Sequence, residues 1–145
     1  MRQAKSLHPA ETLSAIDALR AMFHSLPQHM ETSEIKVKHA LVRSRIPEVD
    51  YVINPYLGCG HGCHYCYAVF MTKYSTFGPN ARWGDFVEVK INIADVLRKD
   101  LARKRHTGTA MLSSVCDAYQ PLEQKYKLTR ECLIALREYG WQIEI

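Results

Sequence analysis

Residues 54–68 read Asn54-Pro55-Tyr56-Leu57-Gly58-Cys59-Gly60-His61-Gly62-Cys63-His64-Tyr65-Cys66-Tyr67-Ala68. Cys59, Cys63 and Cys66 have the spacing C-x3-C-x2-C. Ligands this close in sequence must curl around one centre. Gly58, Gly60 and Gly62 let the backbone do so, because glycine tolerates φ > 0. Thiolates are the usual ligands of iron–sulfur clusters, and a [4Fe-4S] electron carrier uses four of them, one per iron. A set of three leaves one iron open to another ligand. A zinc reading stands beside it, in a basic, nucleic-acid-binding adaptor module. The same cysteines with His61 or His64 make a Cys3His set, and Cys116 or Cys132 could fold back as a fourth thiolate. Structural zinc sites more often join two separated ligand pairs, and no second pair is visible here.

Around this loop lies a chain of 145 residues, long enough for one modest domain with a real core. Its 47% apolar and 10% aromatic content describes a globular protein rather than a disordered one. The five cysteines are odd in number and crowded, whereas a disulfide framework spreads and pairs them. A reducing compartment fits them better, and a soluble cytoplasmic protein is expected. No stretch approaches the ~20 apolar residues of a membrane span, and residues 1–9 lack a signal peptide's apolar core. No membrane partner is expected. The net charge of +4 is mild but gathers in Lys36, Lys38, Arg43 and Arg45, and again in Arg98, Lys99, Arg103, Lys104 and Arg105. Such clusters read either as attraction for nucleic-acid phosphates or as solvated helix faces and loops.

Upstream, Leu13, Ile16, Leu19, Met22, Phe23 and Leu26 recur at helical steps and predict an amphipathic helix over 11–26, ended by Pro27. Residues 28–48 are polar and basic and read as an extended approach segment, so 1–48 is taken as an N-terminal extension and 49–145 as the main domain. Tyr51-Val52-Ile53 predicts a short strand stopped by Asn54-Pro55. Downstream of the loop, residues 67–74 suit a helix and 76–84 a loop. Phe86–Ile91 predicts a strand. Asn92 then looks like an N-cap for a helix running to about His106 with Val96, Leu97 and Leu101 on one face. Ala110–Val115 suits a buried strand, Asp117–Lys127 a loop, and Thr129 a cap for a helix packed through Leu133 and Leu136 and ended by Gly140. Trp141–Ile145 opens another strand. Strand, helix, strand, helix, strand implies an α/β fold with parallel pairing, the beginning of a barrel or an open sheet.

The cysteine spacing, with an aromatic residue before the last cysteine, resembles the signature of the radical S-adenosylmethionine (SAM) superfamily. The longer string NPYLGCGHGCHYCYA resembles one branch of it, the spore photoproduct lyase-like proteins. The likeness continues in order through WGDFVEVKIN (83–92), SSVCDAYQPLE (113–123) and KLTRECLIAL (127–136). This resemblance implies the first half of a partial (β/α)6 radical SAM barrel behind a short N-terminal helical extension. It also implies a lyase-like enzyme generating a 5′-deoxyadenosyl radical, with a [4Fe-4S] cluster and SAM as cofactors. A flavodoxin- or ferredoxin-like electron donor is implied, and nucleic acid or another large molecule as substrate.

Position by position, the resemblance implies that Cys59, Cys63 and Cys66 ligate the cluster and that Tyr65 lies near the adenine of SAM. Tyr65 and Tyr67 flank the last cysteine as two tyrosines do in the lyases, where they pass a hydrogen atom; aromatic packing around the cluster is the plainer alternative. Ser114, Cys116 and Asp117 fall where the family contacts the methionine end of SAM at the end of the second barrel strand. A carboxylate there suits the ammonium group, although Asp117 also suits a loop cap. Glu123 is assigned either to the same pocket or to the surface. The lyases keep a hydrogen-donor cysteine at the position of Ser114. Cys116, two residues on and so on the same strand face, is either a relocated donor thiol or a small-residue substitution. Relatives continue past the third strand into a Thr-Lys-Ser segment and further strand–helix units. The chain is therefore expected to be weakly active or inactive alone, and to self-associate through an open edge at Trp141–Ile145.

Overall fold

The computed structural model describes residues 30–145; the helix expected over 11–26 lies outside them. In chain order the elements are β1 (Glu31–Ile35), β2 (Val42–Arg43), β3 (Tyr51–Ile53), β4 (Tyr56–Gly58), a 3-10 helix (Tyr67–Tyr74), β5 (Phe86–Lys90), α1 (Ile93–Ala102), β6 (Thr109–Leu112), α2 (Glu123–Tyr126), α3 (Leu128–Glu138) and β7 (Gln142–Glu144). They form a mixed α/β fold with two small sheets, ordered β1-β5-β4 and β2-β3-β6-β7.

Phe86, Val87, Glu88 and Val89 of β5 are all buried, as a strand covered on both faces must be. It is central in its sheet, parallel to β1 and antiparallel to β4. In the other sheet β3, β6 and β7 run parallel, and β2 closes one edge antiparallel to β3. Ile93, Leu97 and Leu101 of α1 recur on one face, as do Leu128, Cys132, Ala135 and Leu136 of α3. These faces share one core with Ile53, Tyr56, Val87, Val89, Ala110, Leu112 and Trp141. The register pairs Ile53 with Leu112, so β3 and β6 end side by side. The segments that leave those two ends therefore start from a common place.

Several local expectations need correction. The polar 28–48 segment contributes β1 and β2, through pairing with distant strands rather than through its own pattern. Asn92 precedes α1 but does not cap it. Its side chain accepts from the Val37 N–H (2.8 Å) and donates to the Val37 carbonyl (2.9 Å), pinning the approach segment. α1 stops at Ala102, before His106. β6 stops at Leu112 because Ser113 takes a left-handed φ of 61°, so Ser114 and Cys116 do not share a strand face. The stretch 117–127 contains α2, and α3 begins after Lys127 rather than at Thr129. The Thr129 hydroxyl donates to the Ala118 carbonyl at 2.8 Å, and its place as cap is taken by Glu123. Trp141 is buried, its ring edge-on to Tyr51 with centroids 5.6 Å apart, so the open edge begins only at the exposed residues of β7.

Candidate functional site

The cysteine loop runs from β4 into the 3-10 helix. Two successive turns shape it: the Gly62 N–H donates to the Cys59 carbonyl (3.2 Å) and the Cys66 N–H to the Cys63 carbonyl (3.1 Å). Gly62 (φ 54°) lies against Gly84 (φ 102°) so closely that a Cβ on Gly84 would stand 2.8 Å from the Gly62 Cα. Only paired glycines allow that approach. All three loop cysteines are free thiols, Cys59 buried, Cys63 and Cys66 half-buried. Among the described residues no three His, Cys, Asp or Glu side chains converge as a group that holds a metal ion, so the loop thiols share a segment without closing on one point.

The end of β6 meets this loop. His61 Nε2 lies 3.8 Å from Asp117 Oδ2, while Asp117 Oδ1 accepts the Tyr119 N–H at 2.7 Å. Asp117 thus caps its own loop with one oxygen and faces the cysteine loop with the other. The Tyr67 hydroxyl donates to the Ser114 carbonyl. Asn54, just after β3, accepts the Val115 N–H through Oδ1 (3.2 Å) and donates through Nδ2 to the Ser114 hydroxyl (3.3 Å). Lys90 donates to the Asn54 carbonyl at 2.7 Å, and burial lowers its pKa below the ordinary lysine value. Glu88, fully buried in β5, accepts from the Thr76 N–H (2.6 Å) and the Ser75 hydroxyl (3.3 Å), which fixes the far end of the 3-10 helix.

Tyr65 is 91% exposed and lines a groove of about 460 Å³ with Cys63, His64, Trp83 and Asp85. A second groove of about 230 Å³ is lined by Cys63, Cys66, Val69 and Trp83. Tyr67, Val69, Phe70 and Tyr74 extend this exposed apolar surface along the 3-10 helix. Cys116 packs against the core, and burial pushes its thiol up to about 11. Glu123 is half-buried and engaged by its own surroundings. Its carboxylate accepts from the buried Tyr56 hydroxyl and from the Thr129 (3.0 Å) and Arg130 (3.1 Å) amides at the start of α3. Burial and that carboxylate together raise the Tyr56 pKa.

Two residues around the loop escaped the sequence reading. Gln120 is 1% exposed and accepts the Gly60 N–H through Oε1 at 3.2 Å. Its Nε2, like the indole Nε1 of Trp83, is buried with no partner among the described residues. Both lie in the strings that carried the resemblance, but nothing local in a sequence marks an unpaired donor. Free thiols on a glycine-bent loop, with two unpaired buried N–H groups on residues packed beside that loop, suit a group rich in anionic sulfur.

No family model and no solved structure matches the chain. An uncharacterized protein of Methanocaldococcus jannaschii is 42% identical over 104 residues, which cover 72% of this chain and 38% of that protein. Uncharacterized proteins of Mycobacterium bovis and Mycobacterium tuberculosis are each 36% identical over 96 residues, covering 66% of this chain and 28% of theirs. The chain spans less than two-fifths of the length of these relatives.

Proposed function

We propose that the chain carries the cluster loop and the methionine-side contacts of a radical SAM protein of the spore photoproduct lyase-like kind. One observation carries the reading. Three free thiols at C-x3-C-x2-C spacing stand on one glycine-bent loop, and Asp117 from the end of β6 faces that loop. Cys59, Cys63 and Cys66 would hold a [4Fe-4S] cluster. The chemistry such a group supplies when bound is one-electron cleavage of the SAM sulfonium to methionine and a 5′-deoxyadenosyl radical. The part of a partial barrel that this chain would supply is the parallel trio β3-β6-β7.

The chain's own residues do the positioning. Asp117 offers Oδ2 to an ammonium group beside the loop, while Oδ1 keeps its backbone in place. Asn54 ties the start of the loop to the 113–117 turn, so cluster ligands and SAM contacts move as one body. Tyr67 is held at Ser114, and the exposed Tyr65 stands over the groove beside Cys63. A flavodoxin- or ferredoxin-like protein would supply the electron. Nucleic acid as the substrate rests on Lys36, Lys38, Arg45, Arg103 and Arg105, which are exposed. Arg98 is instead engaged by Glu138 (3.1 Å), and Lys104 lies over the Tyr51 ring.

Anaerobic reconstitution tests the reading. The chain should take up about four irons and show a cluster signal in electron paramagnetic resonance (EPR) spectra. Alanine at Cys59, Cys63 or Cys66 should abolish uptake, and Cys132→Ala, which removes a core thiol, should not. Full iron content in all three loop variants, or a colourless protein holding one zinc, would sink the assignment.

A further inference from the structure

Trp83 and Gln120 each bury an N–H group that has no acceptor among the described residues. An unpaired buried donor costs about 1–3 kcal/mol, so two beside one loop need a reason. The Trp83 indole lies edge-on to Phe86, with centroids 6.3 Å apart, and the residue lines both grooves that reach Cys63. Trp83 also precedes Gly84, whose backbone presses on Gly62 between the first two cysteines. From the other side, Gln120 holds the amide of Gly60, the residue after Cys59. The same carboxamide accepts from the loop with Oε1 and keeps Nε2 as a donor. The loop is thus held by residues that each retain one N–H, and residues 59–66 themselves carry no carboxylate, only the three thiols.

We infer that Trp83 and Gln120 are positioning residues whose Nε1–H and Nε2–H groups donate to the sulfur of the cluster held by Cys59, Cys63 and Cys66. The inference rests on the cluster reading above and adds to it the control of the cluster's potential. Hydrogen bonds to cluster sulfur set the reduction potential, because the reduced state carries more negative charge and gains more from each donor. Removing either donor lowers the potential. Removing the Gln120 amide also frees Gly60 and loosens the grip on the metal; outer hydrogen-bond partners of this kind are worth roughly 10–100-fold in metal affinity.

The test uses the anaerobically reconstituted chain as wild type, Trp83→Phe, Gln120→Met and the double variant. Trp83→Phe keeps an aromatic ring against Phe86 and loses only the donor. Potentials are read by redox titration of the EPR signal, and iron loss by the rate of transfer to a chelator. Both single variants should shift the potential downward, and the double variant further. Gln120→Met should also release iron about tenfold faster. If Gln120→Met fails to fold, as circular dichroism of the apo chain will show, Trp83→Phe decides the matter. Wild-type potential and spectrum in every folded variant would overturn the inference while leaving the cluster reading intact. A wild-type chain that takes up no iron would overturn both.

Discussion

Substituting Gly84 by Ala tests how the cysteine loop is held, because the structure supplies its own control. Gly84 and Gly78 both have left-handed φ, at 102° and 89°, so a methyl group strains the backbone at either position. That strain is worth about 1–2 kcal/mol for an L residue. The surroundings differ. A Cβ on Gly78 meets nothing within 4 Å, whereas one on Gly84 would lie 2.8 Å from the Gly62 Cα and 3.6 Å from its nitrogen. No rotamer relieves a clash between two backbones, so the loop must move, and overpacking of this kind adds roughly 1–3 kcal/mol. Gly78→Ala should therefore cost about 1–2 kcal/mol and Gly84→Ala roughly 2–5. Against the 5–15 kcal/mol typical of a whole domain, the second figure is large. Urea melts of the apo chain, followed by circular dichroism, measure both. Because Gly62 lies between Cys59 and Cys63, only Gly84→Ala should also reduce iron retention after reconstitution. Equal destabilisation by the two variants, with equal iron, would show that the loop does not depend on this contact.

Cys132 has no exposed surface, and burial pushes its thiol up to about 12, above the ordinary value of 9.0. The folded state keeps a proton that the unfolded state releases. Its contribution is therefore constant below about pH 9 and falls by about 1.4 kcal/mol per pH unit above it, up to the folded value. Urea melts at pH 8–11 should show a slope shallower by about one proton in Cys132→Ala, and parallel slopes would refute the burial argument. Glu123→Ala strands the Tyr56 hydroxyl and two amides of α3. It should cost about 1–3 kcal/mol in a urea melt, and less in a Tyr56→Phe background. Cys116→Ser should leave iron content unchanged, since this thiol packs on the core outside the loop, and loss of iron in that variant would make Cys116 a ligand.

What the sequence makes legible here follows from the range of the forces involved. Helices α1 and α3 announce themselves because Leu97–Leu101 and Cys132–Leu136 repeat at the helical period, a property of neighbours along the chain. β5 and β6 show as compact apolar or β-branched runs for the same reason. β1 does not: Glu31, Thr32 and Glu34 are exposed, and the strand exists because its backbone pairs in parallel with β5, more than fifty residues away. β4 is only Tyr56–Gly58, too short to carry a period, and it follows a proline that reads as a stop. The start of α3 differs from the expectation because its capping carboxylate comes from Glu123, outside the helix, whereas Thr129 looks like the better cap by composition alone.

The candidate site was legible in a different way, and its limit is instructive. Cys59, Cys63 and Cys66 are marked by spacing, and Asp117 only by the family resemblance, but sequence cannot bring residues 59–66 to residues 113–120. The sheet does that. With Ile53 opposite Leu112, the parallel pair β3 and β6 ends at one level. Asn54 is then the first residue beyond β3, and its carboxamide reaches Ser114 and Val115 just beyond β6. The left-handed Ser113 turns the chain at that level, which brings Asp117 to His61 and Gln120 to Gly60. A shift of one residue in the β3–β6 register would send these side chains to the opposite face. The apolar residues Ile53, Ala110 and Leu112, all buried, oppose that shift. The register of this core pair therefore places the site's chemistry, and the polar residues read that placement out.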